Sequence, residues 1–127
     1  MHDSRTTFPE RERLKKSEAL AQLVRSGRSA LSHPVRCTFL PLDYDGESHV
    51  KVAFSVSKKT FKSAVKRNKI KRQMREVFRL NKSDLIDALI KLNMTCHILF
   101  IFIDKEEPEF KVIEKAMTKL IERMCRD

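Results

Sequence analysis

The sequence has only two glycines, too few for a glycine-rich phosphate-binding loop. Its three cysteines, Cys37, Cys96 and Cys125, lie far apart and include no CxxC pair. An odd, scattered set supports neither a disulfide framework nor a zinc knuckle, so a reduced, cytoplasmic chain without metal ligands of its own is expected. No stretch approaches the ~20 apolar residues that cross a bilayer, and no membrane contact is expected. Met1 to Glu10 contains no apolar run, so no secretory signal is read there. What is present is 127 residues, 41% of them hydrophobic. That is enough for one core and too short for two, and it excludes wholesale disorder. A single domain over 1–127 is expected, with polar residues 1–12 as a flexible arm.

Acid is scarce in one place. Between Lys58 and Lys82 lie eleven basic residues, and Glu76 is the one acid. The chain's formal charge is +10, and this segment accounts for all of it; the remainder is neutral. A solvated surface helix mixes signs. A one-sign segment fits a polyanionic partner, since each Lys or Arg set on a phosphate releases a condensed counterion.

Periodicity divides the chain further. Leu20, Leu23 and Val24 predict a helix over 17–26, with Ser17 as N-cap and Gly27 just past its end. Residues 35–42 predict a strand, where Pro41 argues for an edge or a bulge. Asp45-Gly46 predicts a hairpin turn; with Asp43 and Glu47 nearby it lacks the ligand spacing of a calcium loop. Over 49–57, Val50, Val52, Phe54 and Val56 alternate with Lys51, Ala53, Ser55 and Ser57. The second set makes a small polar sheet face. A helix over 64–80 carries Ile70, Met74, Val77 and Phe78 as its buried stripe. Another over 84–92, capped by Ser83, points Leu85, Ile86, Leu89 and Ile90 inward. Residues 94–103 read as a strand covered on both faces, with His97 as a structural residue. A last helix spans 109–125. The fold class is an α+β two-layer sandwich, one sheet of about four strands against helices.

The informative segment joins Ser55-Val56-Ser57-Lys58-Lys59 to Arg67-Asn68-Lys69-Ile70-Lys71-Arg72-Gln73-Met74-Arg75-Glu76-Val77-Phe78-Arg79. A strand ends in two lysines, a loop follows, and a helix opens with alternating cations. Arginine offers planar forks to phosphate and lysine offers mobile point charges. With this pairing the chain resembles the protein subunit of bacterial ribonuclease P. That family has a strand ending SVSKK and a helix reading RNR-x-KR-x-x-RE-x-F-R. Arg13-Leu14-Lys15-Lys16-Ser17 also fits, and the resemblance covers about residues 11–124.

The resemblance implies an RNA-binding domain that joins a catalytic RNA subunit and helps remove the 5′ leader from precursor tRNA. Catalysis then lies on the RNA, with Mg2+ held through it, and no catalytic residue falls on the protein. The RNA-contacting set it implies is Lys58, Lys59, Arg67, Asn68, Lys69, Lys71, Arg72 and Arg75. Ser55 and Ser57 would face the leader in a cleft between the sheet and the first helix, which carries Leu20 and Val24. No obligatory protein partner is implied. The resemblance also implies parallel strands at 49–57 and 94–103, joined by an uncommon left-handed crossover. The chain departs from the family at Lys69, at Phe61 in the loop, and at Leu20 and Val24, where aromatics are common. Aromatic stacking is worth about 1–3 kcal/mol per base, so leader contacts are expected to be weaker or moved, with Phe8 or Phe39 as substitutes.

Three rivals are weighed by chemistry. A protein-only nuclease needs clustered carboxylates at its metals, and Glu76 stands alone. A ribosomal-type or general RNA-binding protein shares the basic helix but does not require the SVSKK strand. A helix-turn-helix DNA binder expects a short glycine-containing turn, which is missing.

Overall fold

The computed structural model describes residues 7–126. A 3-10 turn at Glu10–Glu12 precedes α1 (Ser17–Ser26), β1 (Arg28–Ser32), β2 (Val35–Asp43) and β3 (Val50–Val56). Then come α2 (Ala64–Asn81), α3 (Ser83–Leu92), β4 (Met94–Phe102) and α4 (Phe110–Arg126). The strands form one sheet in the order β1-β2-β4-β3. β1 and β4 each run antiparallel to β2, while β3 runs parallel to β4. Parallel neighbours need a long crossover, which α2 and α3 provide. The architecture is the expected α+β sandwich.

Alternation decides which face is covered. Val35, Cys37 and Phe39 of β2, Val50, Val52 and Val56 of β3, and Cys96, Ile98, Phe100 and Phe102 of β4 are buried in one core. The stripes Ile70-Met74-Val77-Phe78 of α2 and Ile113-Ala116-Met117-Leu120-Ile121-Met124 of α4 join the same core. On the opposite face the register sets Lys51, His97 and Leu40 in one row and Ala53, Leu99 and Thr38 in the next. α1 lies against this second face, in contact with β2 and β4, and buries Leu23 fully. Gly27 has an ordinary φ of −75°. Its need for glycine is steric: a Cβ there would stand 2.5 Å from the Leu23 carbonyl oxygen and 2.8 Å from Thr38 Cγ2.

Several expectations need correction. β1 carries no strand signal of its own, with only Ala30 buried; pairing with β2 makes it a strand. The turn at Asp45-Gly46 forms, with Gly46 at φ 81° and Asp45 Oδ1 accepting from the Glu47 and Ser48 N–H groups (2.8 and 3.0 Å). It does not close a hairpin, because β4 lies between β2 and β3. Pro41 sits in an inner strand, but β1 stops opposite Phe39, so Pro41 is flanked on one side only. Neither Ser17 nor Ser83 is an N-cap; Lys16 and Lys82 hold those positions without side-chain caps. Ile90 is 46% exposed rather than inward. β4 is fully covered on one face only, since His97, Leu99 and Ile101 are half-buried.

The arm also differs. Residues 1–6 lie outside the described residues. Residues 7–12 make contacts with the rest of the fold. The Phe8 ring packs edge-on against Phe54 and Phe78 at 5.8 and 6.1 Å. Glu12 is 4% exposed, and its carboxylate meets the Lys82 ammonium. Leu14 N–H donates to the Val52 carbonyl (2.9 Å), so this segment runs along the outer edge of β3.

Candidate nucleic-acid interface

The junction between β3 and α2 is locked from both ends. The Ser57 carbonyl accepts from Phe61 N–H (3.0 Å) and Ser57 Oγ accepts from Lys59 N–H (3.1 Å). Phe61 is buried with its ring 5.9 Å from Phe102, so this apolar loop residue is an anchor. Arg67 Nη1 donates to the carbonyls of Phe61 (2.7 Å) and Lys62 (3.0 Å). Ser63 Oγ caps α2 by accepting from Lys66 N–H (3.3 Å). Lys58 and Lys59 stand exposed on this rigid loop.

The buried stripe fixes the rotation of α2. At 3.6 residues per turn, Lys71 and Arg75 then border the stripe and Asn68 and Arg72 point outward. Asn68, Lys69 and Arg72 are exposed; Arg67, Lys71 and Arg75 are half-buried. The helix therefore brings Asn68, Lys71, Arg72 and Arg75 onto one face, with Arg67 at its first turn and Lys58 and Lys59 on the loop before it. Lys69 stands apart on the far flank, its Nζ 3.2 Å from Glu107 Oε1 in the loop before α4. Two other cations of the segment, Arg79 and Lys82, are spent internally. Arg79 binds Glu76 through Nε (3.0 Å) and Nη2 (2.6 Å), and Lys82 is buried. Among the described residues, no carboxylate is ion-paired with Lys58, Lys59, Arg67, Lys71, Arg72 or Arg75. Like charges held together on a rigid frame lower the stability of the free protein and favour a bound polyanion.

The second sheet face opens into a cleft of about 590 Å³ between the segment leading into α1 and the sheet. Arg13, Lys16 and Ala19 line one wall, and Lys51, Thr95 and His97 the other. Lys51 is held by Asp45 (3.1 Å) and Glu47 (3.7 Å). Of the leader-facing set, Ser55 lies on this sheet face beside Ile101, Leu20 is half-buried on α1, and Val24 is 66% exposed. None of these three lines the cleft, nor does Ser57, whose hydroxyl is engaged in the loop. Phe39 cannot stand in for a cleft aromatic, because it is buried in the core on the other face. Phe8 is committed to the Phe54–Phe78 cluster.

Sequence reading missed Arg11, Arg13, Lys16, Lys51 and His97 as cleft residues. Their charges vanish into the neutral remainder, and only the local cluster Arg11-Glu12-Arg13-Leu14-Lys15-Lys16 could have marked them. The Cys37 and Cys96 thiols are pushed up to about 11 and about 12, chiefly by burial, which removes them as nucleophiles at neutral pH. Among the described residues, no group of three or more His, Cys, Asp or Glu is placed to hold a metal ion, and no helix is long and apolar enough to cross a membrane.

His97 gives a pH test. Burial first, then the Lys51 charge, holds its pKa below the usual 6.5, against the opposing Asp45. The unfolded chain therefore binds this proton more tightly than the folded one. The stability linked to His97 is complete above about pH 6.5 and falls as pH drops from there toward the depressed folded value. Urea midpoints are expected to fall more between pH 7 and pH 5 for the wild type than for His97→Gln. Parallel profiles would refute this.

A four-stranded mixed sheet, carrying a locked loop and a helix with an unneutralised cationic face, defines an α+β protein with a concentrated basic surface. Comparison with known proteins narrows this. The ribonuclease P family profile matches residues 8–125, and the chain belongs to that family. It is 33% identical over 114 residues to the ribonuclease P protein component of Porphyromonas gingivalis, covering 90% of this chain and 83% of the relative. The Chlorobium phaeobacteroides protein component is 29% identical over 120 residues, covering 87% and 82%. Two solved structures share the fold. The Staphylococcus aureus RNase P protein superposes with a TM-score of 0.70 at 24% identity, over 88% of this chain and 94% of that one. The Thermotoga maritima RNase P protein gives 0.69 at 24%, over 88% and 96%. The chain is thus a protein component of a bacterial-type, tRNA-processing ribonucleoprotein.

Proposed function

We propose that this protein binds the catalytic RNA of ribonuclease P through the α2 face and its adjoining loop, and holds the 5′ leader of precursor tRNA in the cleft. The observation that carries the reading is the set Lys58, Lys59, Arg67, Lys71, Arg72 and Arg75, none of which is ion-paired with a carboxylate among the described residues. Lys58, Lys59, Lys71, Arg72 and Arg75 contact phosphates, and Asn68 offers both a donor and an acceptor to sugar or base. Arg67 divides its role: Nη1 fixes the loop, and its other nitrogens are left for phosphate. Lys69 must release Glu107 to take part. Among the described residues no carboxylate cluster is placed to hold a metal ion; in this reading the RNA holds Mg2+ and carries the cleavage chemistry. The work takes place in the cytoplasm, on RNA substrates.

The test is precursor-tRNA cleavage at low magnesium with protein alone, RNA subunit alone, and both. Cleavage at the leader junction only with both is expected. RNA binding without any gain in cleavage would replace the reading with a general RNA binder. Cleavage by repurified protein alone would place catalysis on the chain.

A further inference from the structure

The cationic helix face and the cleft meet at Arg13, which lies outside the paired strand-and-helix motif. Arg13 lines the cleft, yet it also lies beside β3, bridged to Val52, close enough to Arg75 for their charges to oppose one another. Two aromatic rings hold the pair in place. The Arg13 guanidinium stands 5.5 Å from the Phe8 ring centroid and the Arg75 guanidinium 6.0 Å from that of Phe54. Those two rings meet edge to face at 5.8 Å. Arg13 is tied further by Nη2 to the Phe8 carbonyl (3.4 Å).

Nothing on the described chain balances these charges. Among the described residues, no carboxylate is ion-paired with Arg13, Arg72 or Arg75. Glu12, the acid next in sequence to Arg13, is buried against Lys82, and Glu10 is taken by Lys15. Burial, then the Arg13 and Arg72 charges, holds the Arg75 pKa below its ordinary value. Arg75 Nε is buried without a hydrogen-bond partner among the described residues. Fixed guanidiniums that repel one another and lack carboxylate partners form a cradle for an oxyanion, whose oxygens accept from the forks.

We infer that Arg13, with Arg72 and Arg75, forms a phosphodiester-binding site at the outer edge of β3, joining the helix face to the cleft. Its ligand is one backbone phosphate of an RNA strand. The inference rests on the RNA-binding reading above and adds a residue and a place to it. The phosphate comes either from the RNA subunit or from the leader, and the two sources separate experimentally.

The experiment uses Arg13→Ala and Arg13→Lys in the full chain, with urea unfolding to confirm an intact fold. One arm measures binding to the RNA subunit across a salt series. The other measures the reconstituted holoenzyme's preference for leader-bearing precursor over mature tRNA. Arg13→Ala is expected to weaken one of the two about 3- to 10-fold and, where RNA-subunit binding is affected, to lower the salt slope by about one. Arg13→Lys is expected to fall between, since it keeps the charge without the fork. Loss in the first arm assigns the phosphate to the RNA subunit, and loss in the second assigns it to the leader. An Arg13→Ala protein that matches wild type in both arms overturns the site while leaving the RNA-binding reading in place. Wild-type protein that binds neither RNA would instead overturn the reading on which the site rests.

Discussion

Replacing Lys82 by alanine is expected to lower the stability of the protein by about 3–5 kcal/mol, the usual cost of removing one partner from a buried ion pair. By sequence Lys82 closes the basic segment and looks like one more cation for a polyanion. In the fold it is fully buried. It joins α2 to α3, serving as C-cap of one and N-cap position of the other. Its ammonium donates to the Glu12 carboxylate and the Thr7 carbonyl, and so holds the N-terminal segment against the helices. Alanine would leave Glu12 buried opposite no cation. The paired change Glu12→Leu with Lys82→Met is expected to recover most of the loss, because apolar residues of similar volume often replace a buried pair at little cost. Urea unfolding of the wild type, both single variants and the pair measures this as a double-mutant cycle. A Lys82→Ala midpoint close to wild type would show that the burial has been misjudged.

Lys82 illustrates how much was legible in the sequence. Local patterns read well where one face is buried. The stripes of α2 and α4 and the alternation of β3 appear as expected, because burial demands that periodicity. Ser32 to Val35 and Asp45 to Ser48 show what periodicity leaves out. Both turn the chain between strands, but which strands become neighbours is decided by long-range pairing, so β4 entered between β2 and β3 where a hairpin was expected. β1 is a strand because β2 offers it an edge, not because Arg28–Ser32 favours extension. The candidate site divides the same way. Helix spacing alone puts Asn68, Lys71, Arg72 and Arg75 on one face of α2, and that much could be read from the sequence. It could not show that Lys69 is paired across to Glu107, 38 residues away. Nor could it show that Arg13 is brought to Arg75, because sequence charge is additive while repulsion depends on distance.

That distance dependence gives the second large effect. Replacing Lys71, Arg72 and Arg75 together by alanine is expected to weaken binding of the RNA subunit by about two orders of magnitude at moderate salt, and to lower the salt slope by about two to three. The comparison is a second triple variant, Lys111, Lys115 and Lys119 to alanine, on α4. Those three are exposed, and their loss changes net charge equally. If the protein binds RNA as a diffuse cation, the two variants lose affinity alike, since each removes three charges from the same +10. If the face of α2 is the site, the α4 variant keeps nearly all its affinity, because exposed charges beyond a Debye length of about 8–10 Å from bound phosphates are largely screened. Both triples leave the buried stripes of their helices intact, so matching unfolding midpoints are expected. Equal losses in the salt series would therefore mean that the motif marks a charge reservoir rather than a binding surface. An unequal loss assigns the recognition to residues whose rotation about α2 is set by Ile70, Met74, Val77 and Phe78, linking the RNA surface directly to the core beneath it.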